Sequence, residues 1–137
     1  MVTDEVYEHL TFDGVAHLPL TALPGMGERT VTLSSAGKTF SATGWKIGWA
    51  TGPSDLVGAV RAAKQFLTFV NGAPFQPAVA EALRLPDSYY AGFRSSLQGK
   101  RDRFLEGLVH TRTRGDVSLR YFRTVGTVPA VRVQVRR

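Results

Sequence analysis

Hydrophobic and polar positions along the chain switch between strand-like and helix-like spacing, with no internal repeat or low-complexity tract. Met1-Val2-Thr3 reads as the end of a strand, and polar and turn residues follow through Phe12-Asp13-Gly14. Arg29 to Ser34 is β-branched and apolar, a buried strand that opens into Ser35-Ala36-Gly37-Lys38, and Lys46 to Ala50 is a second short strand. Pro53-Ser54-Asp55 caps a helix whose apolar positions Leu56, Val60, Ala63, Leu67 and Val70 predict one buried stripe. The turn formers Asn71-Gly72-Ala73-Pro74 lead to a short helix with Pro77 in its first turn. Pro86-Asp87 then starts a longer helix with the stripe Tyr90, Phe93, Leu97, Phe104 and Leu108, in which Phe93 and Phe104 read as packing residues. Strand and helix signals in alternation predict an α/β class.

Composition narrows the picture. With 137 residues, 43% hydrophobic and 20% charged, the chain is expected to be a soluble domain of modest size. No apolar run approaches the roughly 18 residues of a membrane span. Asp4, Glu5 and Glu8 near the N-terminus do not fit a signal peptide, so a cytoplasmic address is expected. The absence of cysteine and the scatter of His9, His17 and His110 give no metal-ligand spacing, and no metal is expected. The pI of 10.2 invites a nucleic-acid reading, but the net charge of +6 is local. Residues 111–137 hold seven arginines against Asp116 alone, whereas residues 1–110 carry ten basic and ten acidic groups. We therefore divide the chain into residues 1–110 and an Arg/Val-rich tail, 111–137. Three readings of the tail stand open: an edge hairpin whose strand is Ala130 to Val135, a stretch translated out of frame, and an arm for phosphates. The out-of-frame reading is favoured, because apolar Val alternates where a nucleic-acid arm mixes Lys with polar residues. Neither a nucleic-acid nor a membrane partner is expected.

The candidate chemistry gathers around Lys38. A strand followed by S-S-A-G-K-T evokes a phosphate-binding P-loop, but the first glycine of that motif would fall at Thr32, and Ser41 to Gly44 turns toward another strand where a helix should run. A lysine in a tight turn at the carboxyl end of an α/β strand sits where open sheets bind ligands, and desolvation there favours the neutral amine that forms Schiff bases. Ser35 and Lys46 offer a hydroxyl and a cation to one anionic group, and Asp4 and Tyr7 leave a strand end with a carboxylate and a phenol. An aldehyde cofactor with a phosphate, a basic ring nitrogen and a ring hydroxyl would use all five groups, and pyridoxal phosphate has those features.

The runs Thr3 to Glu8 (T-D-E-V-Y-E) and Ser34 to Trp49 (S-S-A-G-K-T-F-S-A-T-G-W-K-I-G-W) resemble class I/II pyridoxal-phosphate aminotransferases of fold type I. The second run is most similar to the kynurenine/glutamine transaminase and succinyl-diaminopimelate aminotransferase branch. The resemblance covers about residues 1–110. It implies part of a three-layer large domain, an incomplete mixed, mostly parallel sheet with flanking helices. It further implies that Lys38 forms the Schiff base with the cofactor and moves the substrate proton, making it nucleophile and general acid/base. Asp4 would keep the pyridine nitrogen protonated, Tyr7 would donate to the ring oxygen, and Ser35 and Lys46 would hold the phosphate. Most of the wider family has arginine at the last position; lysine keeps the charge without the bidentate fork.

The stretch Phe69 to Gln76 resembles the one that reaches the neighbouring subunit's site in family homodimers. Family members are far longer, and the glycine-containing phosphate loop, the ring-stacking aromatic, the asparagine beside the ring oxygen and the small domain with its substrate-gripping arginine are not found here. Arg132 mimics that arginine's wording but follows the lysine too soon. The expected parent reaction transfers an amino group from an amino acid to a 2-oxo acid, with this chain inactive and marginally folded alone. The alternative is a non-catalytic protein that binds an anionic partner through its arginine-rich tail.

Overall fold

The computed structural model describes residues 1–110, with side chains through residue 107. The expectations for the tail, the strand at Ala130 to Val135 included, lie outside the described residues, as does the packing of Leu108.

Three strands form one sheet in the order β1 (Val2–Asp4), β2 (Val31–Ser35), β3 (Gly48–Thr51). β1 runs parallel to β2 with Val2 opposite Val31 and Asp4 opposite Leu33, while β3 is antiparallel, with Thr32 opposite Thr51 and Ser35 opposite Gly48. The sheet is thus mixed. β-branched Val31 and Thr32 suit the central strand, and the Thr3 hydroxyl donates across the pair to the Thr32 hydroxyl at 3.4 Å. β2 begins two residues later than its sequence pattern predicts and runs on to Ser35. β3 starts at Gly48 rather than Lys46, because Lys46 is left-handed (φ 54°) and still belongs to the preceding turn.

The segment after β2 turns toward the next strand, as its sequence suggests. Ala36–Thr39 is a single helical turn, α1, closed by the Phe40 N–H donating to the Ala36 carbonyl at 2.9 Å. Thr43–Trp45 is a 3₁₀ turn that leads into β3. Helix α2 (Ser54–Leu67) has Asp55 in its first turn, where a carboxylate complements the helix dipole, but no side chain caps it. α3 spans Gln76–Ala82 with Pro77 in its first turn, and α4 spans Asp87–His110.

The stripe of α2 is not buried in this structure. Leu56 is half-buried, but Val60, Ala63, Leu67 and Val70 are exposed, and Phe66 and Leu67 are 87% and 81% accessible. Periodicity establishes that a helix has an apolar face; it does not supply the surface that covers it. On α4, Tyr90, Phe93 and Leu97 are half-buried as the stripe requires, whereas Phe104 is 53% exposed.

The described residues fall into two units. The first contains Met1–Tyr7 and Leu18–Leu85, and its buried residues concentrate at the junction of β2 and α1: Val31, Ala36 and Ile47, with the hydroxyl-bearing Thr3, Thr30, Ser34 and Thr39. The second joins Glu8–His17 to α4. Arg101 holds it together through a bidentate pair with Asp13 (2.6 and 2.7 Å) and a cation–π contact with Phe12, while His9 stacks on Tyr90 at 4.4 Å.

Candidate active site

The parallel pairing of β1 with β2 sets Asp4 and Ser35 at the carboxyl ends of neighbouring strands. Because β3 is antiparallel, Lys46, just before it, falls at the same end of the sheet. Asp4 is exposed, and its Oδ1 accepts a hydrogen bond from the Val6 N–H at 3.3 Å, which turns the chain out of the strand and carries Tyr7 beyond the sheet end. Ser35 precedes α1 with an extended backbone, and its side chain makes no capping bond. Lys38 follows on the helical turn, half-buried, with its Nζ 5.7 Å from the centroid of the Tyr7 ring. That distance is within cation–π range.

Of the five residues singled out from the sequence, Lys38 and Tyr7 are brought into contact. Among the described residues no hydrogen bond or ion pair ties Asp4, Ser35 or Lys46 directly to Lys38; they share the sheet end with it. The donor set is an amine, a carboxylate, a phenol, a hydroxyl and a second ammonium. It complements, group for group, the aldehyde, ring nitrogen, ring hydroxyl and phosphate of pyridoxal phosphate. Gly37 keeps the lysine turn open: a Cβ there would stand 3.3 Å from the Thr43 Cα and 3.5 Å from the Ser35 Oγ. These residues fit the cofactor.

Two contributors were not singled out from the sequence. The Thr43 hydroxyl donates to the Gly37 carbonyl at 3.0 Å and braces the Lys38 turn from outside the motif's chemical residues. Asn71, read as a turn former within the stretch Phe69 to Gln76, donates from Nδ2 to the Lys46 carbonyl at 2.9 Å across 25 positions of sequence. The A-T-G-W spacing that brings Thr43 back to Gly37 was in plain view; nothing local signalled the Asn71 contact.

Two clefts lie elsewhere. One of about 710 Å³, in the second unit, is lined by Glu8, His17, Arg94, Gln98 and Asp102 and contains none of the five residues. A second, of about 340 Å³, runs beside β3 between Ile47, Trp49, Lys64, Asn71 and Leu83. No helix among the described residues is long and apolar enough to cross a membrane.

The family model for aminotransferase class I and II matches residues 1–122. The chain is 60% identical over 108 residues to a probable N-succinyldiaminopimelate aminotransferase, DapC, of Mycobacterium tuberculosis, covering 79% of this chain and 27% of that protein. It is 48% identical over 110 residues to the kynurenine–oxoglutarate transaminase of Dictyostelium discoideum, covering 79% of this chain and 25% of that protein. The solved structure of the M. tuberculosis N-succinyldiaminopimelate aminotransferase superimposes with a TM-score of 0.76 over 79% of this chain and 28% of its own. The chain therefore spans about a quarter of the length of the relatives it matches. The fold is that of part of a fold type I α/β domain, and enzymes of this family depend on pyridoxal phosphate. With the family model covering most of its residues, the chain belongs to the class I and II aminotransferases.

Proposed function

We propose that this chain carries the lysine-bearing portion of a pyridoxal-phosphate-dependent aminotransferase whose whole reaction moves an amino group from an amino acid to a 2-oxo acid. The observation that carries the proposal is the half-buried Lys38 on a one-turn helix at the carboxyl end of β2, its ammonium over the Tyr7 ring. In this reading the full-length protein is a cytoplasmic homodimer, and residues 1–110 belong to its large domain. This chain alone does not turn over.

When bound, pyridoxal phosphate supplies an aldehyde and an electron-withdrawing ring that makes the α-hydrogen of an amino acid acidic. Lys38 Nζ is the amine that would hold the aldehyde carbon and, when free, would take up a proton and return it, with its one-turn helix limiting how far it travels. Tyr7 serves twice: its ring face favours a cation at Nζ, and its hydroxyl donates to the ring oxygen. The Asp4 carboxylate keeps a proton on the ring nitrogen by charge. Ser35 donates to the phosphate and Lys46 neutralises it as a point charge.

The test is to treat the purified chain with pyridoxal phosphate, reduce with borohydride and map pyridoxyl-modified peptides by mass spectrometry. A single adduct at Lys38, lost in Lys38→Ala, is expected. Adducts spread over Lys46, Lys64 and Lys100, with Lys38 no more modified than the others, would overturn the reading.

A further inference from the structure

Resting on the reading of Lys46 as the phosphate cation, we propose that Asn71 is a positioning residue for the phosphate end of the site, acting through the backbone of Lys46. Lys46 has φ 54° and ψ 40°, a left-handed conformation that is unfavourable for a residue with a long side chain and common for glycine or asparagine. Non-glycine residues held in this region persist only where the surroundings over-determine them, and such residues concentrate at binding sites. Here the surroundings are the loop that follows α2.

Three successive residues of the turn are each gripped by that loop. Phe75 lies against Trp45, with ring centroids 4.4 Å apart. Asn71 Nδ2 donates to the Lys46 carbonyl at 2.9 Å. Gly72, itself left-handed at φ 55°, packs so tightly on buried Ile47 that a Cβ would stand 2.0 Å from Ile47 Cδ1. Asn71 is in turn fixed by Gln76, whose Nε2 donates to the Asn71 carbonyl at 3.3 Å. Next along, the Ile47 carbonyl accepts from the Ala36 N–H at 3.0 Å, the first residue of the turn that bears Lys38. The loop thereby couples to both ends of the site: directly to the conformation from which the Lys46 side chain leaves the backbone, and through Ile47 to the lysine turn. Among these contacts the Asn71 bond is the one made to Lys46 itself. Its direction is fixed, because a carbonyl can only accept and Asn71 Nδ2 is the donor here.

The test separates phosphate positioning from general support. The full chain, Asn71→Ala, Asn71→Leu, Lys46→Ala and the double variant Asn71→Ala/Lys46→Ala are equilibrated with increasing pyridoxal phosphate or with pyridoxal, which lacks the phosphate. Each sample is reduced with borohydride, and the Lys38 adduct is quantified by peptide mass spectrometry. Asn71→Ala is expected to raise the half-saturating concentration of pyridoxal phosphate about five-fold, the loss of one neutral hydrogen bond, and to leave that of pyridoxal unchanged. In the Lys46→Ala background the same substitution is expected to do nothing further. Asn71→Leu, close in volume, uncharged and unable to donate, carries the same comparison if the alanine variant loses its far-ultraviolet dichroism. Equal losses with both aldehydes, or a loss that persists without Lys46, would overturn the inference while leaving the function of Lys38 standing. Absence of a preferred Lys38 adduct in the unaltered chain would overturn the functional reading, and this inference with it.

Discussion

His9 lies against Tyr90 with the rings 4.4 Å apart and 27° from parallel, and its burial lowers the imidazole pKa below the usual 6.5. The Arg94 and His17 charges push the same way, while Glu8, 3.9 Å from Nε2, opposes them. The folded state therefore prefers neutral His9. Above pH 6.5 the imidazole is neutral whether folded or not. As the pH falls from there toward the lowered folded value, the unfolded form gains a proton that the folded form resists, so the packing of Glu8–His17 on α4 weakens. A proton NMR titration is expected to give His9 a midpoint below that in 8 M urea, with the Tyr90 ring shifts collapsing over the same range. His9→Phe is expected to keep the Tyr90 shifts independent of pH, and a His9 midpoint equal to the denatured one would refute this. Arg101 shows the opposite case: hydrogen bonds to Asp13 raise its pKa, so it stays charged at any accessible pH. Its contribution is geometric, since the fork is matched to Asp13 and the side chain is largely covered. Arg101→Ala is expected to speed hydrogen exchange at the Asp13 and Val15 amides about five-fold, the size expected of a partly screened ion pair worth about 1 kcal/mol.

At the scale of elements, the end of α2 and the residues just after it carry apolar side chains without cover: Phe66, Leu67, Phe69 and Val70 are 64% to 87% exposed. Four such side chains in one run form a patch that water disfavours and that drives association. The double substitution Phe66→Glu and Leu67→Glu is expected to lower sedimentation-detected self-association with helicity unchanged, because neither side chain is packed; a loss of helicity would show that the face is covered in solution. This helix also shows what could be read in the sequence and what could not. Its position followed from the spacing of Leu56, Val60, Ala63 and Leu67, and strands β1 to β3 were found to within two residues. Those features are local, set by periodicity and by β-branched residues such as Val31 and Thr32. The exposure of the stripe was hidden because a pattern describes a face and not its partner. The left-handed Lys46 was hidden too, since its conformation is imposed from Asn71 and Gly72, remote in sequence. In the candidate site, chemistry-bearing residues stood in recognisable runs, whereas the braces Thr43 and Asn71 act through backbone carbonyls, which carry no residue-type signal.

For the molecule as a whole, the decisive fact is what the first unit buries. Its buried side chains at the β2–α1 junction are largely hydroxyl-bearing, with Val31, Ala36 and Ile47 the apolar ones. Among the described residues β1 and β3 have open outer edges, and an α/β sheet normally derives its stability from covered faces and paired strands. Conformational entropy opposes folding at every ordered residue, so so small an apolar core leaves little margin. The chain without cofactor is expected to bind a hydrophobic dye, keep helical far-ultraviolet dichroism and melt over a broad range in calorimetry. A ligand that binds only the folded form adds stability by mass action, about 2.7 kcal/mol at a hundred times its dissociation constant. Since Asp4, Ser35 and Lys38 come from β1, β2 and α1 and Tyr7 from the turn after β1, a group bridging them ties together the parts that are least secured by burial. Saturating pyridoxal phosphate is therefore expected to sharpen the transition and raise its midpoint in the unaltered chain, and to do much less in Lys38→Ala. A sharp cooperative melt without cofactor, unmoved by its addition, would mean that the unit is stabilised by packing alone and that the lysine turn is organised independently of any ligand.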